Sequence, residues 1–293
     1  MTPIGLGVIA FIGIVMVLVG WFTAPRSAER GVAKLAARTG LEIDRPIADL
    51  VRRRLRRRVR ACTGGAGVGL LVSLLARIAS STSTDPFSWS TAAVIVGAGV
   101  GALTVHVLDS GRTAGEPGVR AAVVRRRRLS DFLLPVEVAA PYAALLLPVS
   151  AAVAALASAR TPIEPIRTGL LIAGVCVALA ITAIATLAQR FVLGMSPPAD
   201  SPTRLRWEDA LRGLALRDIG ITAYCVSYVL GAVTFGATGL LRAAGPVTSV
   251  AAAGGVFVVA TAGLILLAVA AEGLTGPARR FLRLYETADG GQR

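Results

Sequence analysis

Residues 168–189 read TGLLIAGVCVALAITAIATLAQ, a run with no charged side chain and apolar residues on every turn. At about 1.5 Å of rise per residue a helix of this length crosses the roughly 30 Å hydrocarbon core of a bilayer. Working outward, the same reading finds runs at 4–22, 62–82, 89–108, 138–158, 219–241 and 246–271, each bounded by charge or turn residues. The expected fold class is therefore an all-α integral membrane protein. It is a bundle of about seven transmembrane helices forming a single polytopic domain over 1–293.

Whole-chain composition agrees. Hydrophobic residues make up 54% and charged residues only 16% of 293 positions, and the mean hydropathy is +0.68. Three scattered cysteines, Cys62, Cys176 and Cys225, form neither a disulfide framework nor a CxxC pair. Enrichment in Ala, Gly, Val and Arg points to a bacterial chain from a GC-rich genome, and hence to the inner membrane.

The net charge of +14 is distributed in a way that sets orientation. Lys and Arg number 12 in residues 23–61, 6 in 109–137, 5 in 190–218 and 4 from 272 onward, whereas the alternate connections hold only Arg160, Arg167 and Arg242. Basic segments stay cytoplasmic. Alternating seven helices from an outside N-terminus puts all four basic segments inside, with the C-terminus inside as well. Met1-Thr2-Pro3 lacks the positive region of a signal peptide, so the first run is expected to be a retained anchor.

Within 23–61, a basic cytoplasmic amphipathic segment, residues 46–60 carry Ile47, Leu50, Val51, Leu55 and Val59 on one stripe. Arg52, Arg53, Arg54, Arg56, Arg57, Arg58 and Arg60 surround it. This pattern is expected to orient the chain and to bind anionic lipid headgroups at the membrane surface. No aromatic residue interleaves the arginines, so nucleic acid is not an expected partner. A second amphipathic stretch, residues 204–218, is expected to lie in the membrane plane, with Trp207 in the headgroup zone and Glu208 pairing with Arg212 four residues on. Pro135, Pro141 and Pro148 are expected to interrupt the hydrogen-bond ladder of the fourth helix.

Around Arg206-Trp207-Glu208-Asp209-Ala210-Leu211-Arg212 the chain resembles uncharacterised multipass membrane proteins of actinobacteria. The resemblance covers this segment and the general helix layout, and it implies no activity. Long soluble helical domains between few spans, as in secretion-system inner-membrane proteins of the F type, do not fit a chain whose middle is occupied by spans four and five.

Enzyme signatures are missing. There is no GxxxxGK[ST], no GxSxG and no HExxH, and His106 is the single histidine. No metal site and no cofactor are expected. The polar residues that remain form a layer at the basic ends of the helices, of which His106, Asp109 and Glu137 make a candidate polar site. His106 and Asp109, three apart, share a helical face where a carboxylate can hold an imidazolium. Gly65 and Gly69, with Gly97 and Gly101, give two GxxxG faces for close helix packing within one hairpin. The expected role is a non-catalytic inner-membrane accessory or scaffold component of a transport or envelope system, with membrane proteins as partners. The alternatives are a secondary transporter using the polar layer and, third, a membrane-embedded enzyme.

Overall fold

Proline opens the helices. Its missing N–H and fixed φ suit the first turn, where backbone donors have no partner in any case. In the computed structural model, which describes residues 3–80, 86–115, 127–158, 165–195 and 201–237, α1 (Pro3–Thr39), α3 (Pro86–Gly115), α4 (Pro135–Ser158), α5 (Pro165–Gly194) and α6 (Pro202–Ala237) each begin on proline, and α2 (Arg45–Ser80) has Pro46 in its first turn. A 3-10 turn at Leu129–Asp131 precedes α4. The described residues contain no strand.

The other end signals are equally local. Gly40 adopts φ 65° after α1, and its N–H donates to the Ala36 carbonyl; only glycine takes this left-handed position without steric cost. Ser201 caps α6, its Oγ accepting from the Arg204 N–H at 3.1 Å. At α4 the cap works in reverse, with Glu137 Oε2 reaching back to accept from the Leu134 N–H at 2.8 Å.

Among the described residues four stretches are long and apolar enough to cross a membrane: Arg45–Leu75, Ala92–Arg112, Ile172–Gly194 and Pro202–Ala232. Pro135–Ser150 is a shorter apolar stretch. The expected run at 246–271 lies outside the described residues. Phe11, Ile14, Leu18 and Phe22 on α1, Val68, Leu71 and Leu75 on α2, and Ile172, Leu179 and Phe191 on α5 all stand exposed. Water penalises such a surface, whereas lipid tails cover it at no cost. Hydroxyls on the apolar stretches of α3 and α5 are satisfied internally, as where Thr104 Oγ1 donates to the Val100 carbonyl and Thr182 Oγ1 to that of Ala178.

Helix α2 lies between α1 and α3, while α6 packs against α3, α4 and α5 and is the most buried of the four long apolar stretches. The α2–α3 contact is backbone to backbone. A Cβ on Gly65 would meet the Gly97 carbonyl, one on Gly97 the Gly65 carbonyl, and one on Gly101 the Ala61 carbonyl, with Gly69 against Ala93 in the same way. Gly231 of α6 likewise sits against Leu147 and Pro148 of α4. The α4 helix stays continuous through Pro141 and Pro148.

Two surface elements expected from the sequence are absent as separate pieces. Residues 46–60 are continuous with the second apolar run in one helix of 36 residues, and residues 204–218 are the first half of α6. Both stretches therefore continue the long apolar stretches along the same helix axes, with no break that sets either off as a separate helix. Trp207 shows why. Instead of lying among headgroups it is fully buried, clustered with Val32 of α1, Ile47 and Val51 of α2 and Leu211. Its indole N–H donates to the Glu42 carbonyl at 2.9 Å. The apolar stripe of the arginine-rich segment thus faces protein.

Candidate functional site

Glu208, Asp209, Arg212, Arg217 and Asp218 occupy the first half of α6, and all five are buried. A buried charge costs several kcal/mol unless opposite charge and hydrogen bonds meet it. Each finds its partner on another segment ending at the same end of the bundle. Arg54 of α2 grips Glu208 with both terminal nitrogens, at 2.9 and 2.8 Å. Arg58 of α2 donates to Asp218 Oδ1 at 2.7 Å. Arg127, just before the 3-10 turn, donates to Asp209 Oδ2 at 2.8 Å, and Arg212 reaches Asp209 Oδ1 at 3.2 Å. Arg212 also donates to the Met195 carbonyl at the end of α5, at 2.7 Å.

The uncharged joints fall in the same layer. Gln189 of α5 donates to the Leu216 carbonyl at 3.1 Å. Phe132 and Leu133, which link the 3-10 turn to α4, are fully buried against α5 and α6, whereas none of the turn's own residues is buried.

The three residues of the expected polar site divide. His106 and Asp109 both line a cavity between α2, α3, the end of α5 and α6. They do not pair with each other. His106 Nε2 lies 3.3 Å from Asp218 Oδ2, close enough for attraction but not aligned as a hydrogen bond. Asp109 accepts from Arg57 at 3.0 Å and has Arg112 at 3.6 Å. Glu137 is not a member of this cavity lining. It is buried beneath α6, with Arg217 Nε 3.2 Å from its Oε1, again near but misaligned.

The arginines expected on the membrane surface also divide. Arg54 and Arg58 turn inward to α6, and Arg57 pairs with Asp109 on α3. Arg52 bridges to Asp49 one turn away, at 2.8 Å on an exposed face. Arg60 stacks over the Trp21 ring, 4.5 Å from its centroid, which joins α2 to α1. Arg53 is exposed and Arg56 half-buried.

No spacing in the sequence sets Asp218 beside His106, and spacing paired Glu208 with Arg212 within one helix. The structure separates those two, sending Glu208 to Arg54 and Arg212 to Asp209. The signal lay in residues 207–220, where apolar residues on every face leave no side for charges to meet water. Among the described residues no three His, Cys, Asp or Glu side chains gather as a metal site.

No family model, curated protein or solved structure matches this chain.

Proposed function

We propose that this chain is a non-catalytic multi-pass protein of the bacterial inner membrane, an accessory or scaffold component of a transport or envelope system. It would carry seven spans, an outside N-terminus and its basic end in the cytoplasm. The single observation that supports this reading is the ionic layer itself. Charges on α2, α4 and the 127–134 segment converge on one buried helix, with separations of 2.7 to 3.2 Å across the elements. Moving these helices against one another would strand buried charges at several kcal/mol each. Such a layer suits a rigid platform better than an alternating pathway.

A transport reading draws on the cavity that His106 and Asp109 share. Against it, Glu137, the third group of the proposed path, is sequestered by Arg217 on the other side of α6.

Crosslinking in native membranes followed by purification of the full chain tests the proposal. A scaffold yields the same stoichiometric membrane-protein partners from independent preparations. A chain that purifies alone after crosslinking, and whose thermal stability responds to a transported solute, overturns the scaffold reading in favour of transport.

A further inference from the structure

Of the seven arginines between residues 46 and 60, four are taken up by carboxylates: Arg52 by Asp49, Arg54 by Glu208, Arg57 by Asp109 and Arg58 by Asp218. Arg53, Arg56 and Arg60 enter no ion pair among the described residues. The remaining acidic groups at this end of α1 and α2 do not neutralise them. Glu42 and Asp44 lie before the start of α2, and Glu29 stands exposed on α1 with Arg26 and Arg30 on either side. At 3.6 residues per turn the three unpaired arginines fall within about 60° of one another around the helix.

The same strip runs on toward the other end of α2 and changes character. Nothing lies within 4 Å of a Cβ on Gly64, and Val68 and Leu71 beyond it are exposed. Trp21 of α1, itself exposed, marks the level at which the change occurs, since the Arg60 guanidinium lies 4.5 Å from its ring centroid and tryptophan favours the boundary between headgroups and hydrocarbon. Arg56 and Arg53 then stand about one and two turns outward of that boundary, and Leu71 about three turns inward. The rise from Arg60 to Leu71 is about 16 Å, close to half of the roughly 30 Å hydrocarbon core. Donor capacity remains at the outer end. Stacking on Trp21 engages the face of the Arg60 guanidinium and leaves its N–H groups pointing outward in the plane, and the Nε atoms of Arg56 and Arg60 are buried without an acceptor.

We propose that this strip holds one anionic phospholipid, its phosphate on Arg53, Arg56 and Arg60 and its acyl chains along Val68 and Leu71. Charge complementarity selects the occupant. Guanidiniums match phosphate oxygens in charge and in planar donor geometry, and the uncharged surface below them matches acyl chains. Phosphatidylglycerol offers both, whereas phosphatidylcholine adds a cation that the arginines repel and an acidic protein segment matches only the outer half. The lipid stands alongside α2, and Arg54 and Arg58, turned inward to α6, take no part. The inference goes beyond the scaffold reading and does not rest on it, since a scaffold and a transporter alike meet lipid on this face.

The test titrates the full chain in a maltoside detergent with phosphatidylglycerol or phosphatidylcholine of the same acyl chains and counts lipid adducts by native mass spectrometry. The expected result is one phosphatidylglycerol adduct formed at lower concentration than any phosphatidylcholine adduct. Arg53→Gln with Arg56→Gln should weaken it by roughly thirtyfold, with a much smaller effect on phosphatidylcholine. Arg56→Gln alone serves if the double variant folds poorly, and should weaken it by roughly fivefold. Arg52→Gln with Arg112→Gln removes the same charge from arginines that already face carboxylates and should leave the adduct nearly unchanged. Equal affinity of the unmodified chain for the two lipids overturns the proposal and leaves an acidic protein as the partner of these arginines. Equal weakening by the two double variants overturns it as well, because the attraction is then the diffuse charge of the basic end. So does a phosphatidylglycerol preference that survives the loss of Arg53 and Arg56, which places the lipid elsewhere.

Discussion

Arg54 and Glu208 stand 154 positions apart in sequence and meet through two parallel hydrogen bonds of 2.9 and 2.8 Å. The carboxylate side chain is 5% exposed and the guanidinium 19%, so this pair joins α2 to α6 largely out of reach of solvent. Paired charges of this kind add little over an apolar pair, but removing one partner strands the other.

Arg54→Gln and Glu208→Gln are each expected to destabilise the chain by about 3–5 kcal/mol. Combining Arg54→Glu with Glu208→Arg should recover part of that loss. Asp49→Asn, which breaks the exposed pair with Arg52, should cost under about 1 kcal/mol. Thermal unfolding of the full chain in detergent reads all four. Equal effects of Glu208→Gln and Asp49→Asn would show that the α2–α6 pair is as solvated as the surface one.

The α2–α3 contact predicts a contrast between two glycines of similar sequence context. Gly97→Leu places a side chain against the Gly65 carbonyl and must separate the helices, whereas nothing lies within 4 Å of a Cβ on Gly64. Gly97→Leu should cost more than about 3 kcal/mol or prevent folding. Gly64→Ala should be neutral or stabilising by about 0.5–1 kcal/mol, through the better helix propensity of alanine. Expression level and thermal midpoint measured side by side decide it.

Topology follows from the charge count and is tested by labelling. In a background with Cys62, Cys176 and Cys225 replaced by alanine, cysteines introduced at Thr84 and Pro162 should react with an impermeant maleimide on intact cells. A cysteine at Gly115, near the end of α3 that carries His106 and Asp109, should react only after permeabilisation. Reaction at Gly115 in intact cells would reverse the orientation.

His106 and Glu137 now make different predictions. His106→Gln keeps a hydrogen-bonding side chain at the cavity wall and should leave stability within about 1 kcal/mol and partner capture unchanged, as a scaffold requires. Glu137→Gln removes the charge facing buried Arg217 and should cost roughly 3 kcal/mol whatever the protein does. Only His106→Gln therefore discriminates function. Loss of cell phenotype in His106→Gln at normal expression and normal thermal stability would favour the transport reading.

Sequence alone placed helices, in order, over six of the expected runs among the described residues, because a helix satisfies its own backbone and its existence is written in a local run of apolar residues. Residues 168–189 needed no neighbour to be read, and neither did the glycine faces at 65, 69, 97 and 101. Tertiary structure decided where the charges go. Residues 46–60 and 204–218 have the composition of surface helices, and only their packing reveals that Val51, Trp207 and Leu211 bury one another. The same holds for the polar groups. Spacing within a helix suggested His106 with Asp109 and Glu208 with Arg212. Long-range pairs outcompeted both, since desolvation makes a buried carboxylate take the nearest guanidinium in space, and nearness across helices is not encoded in any local stretch.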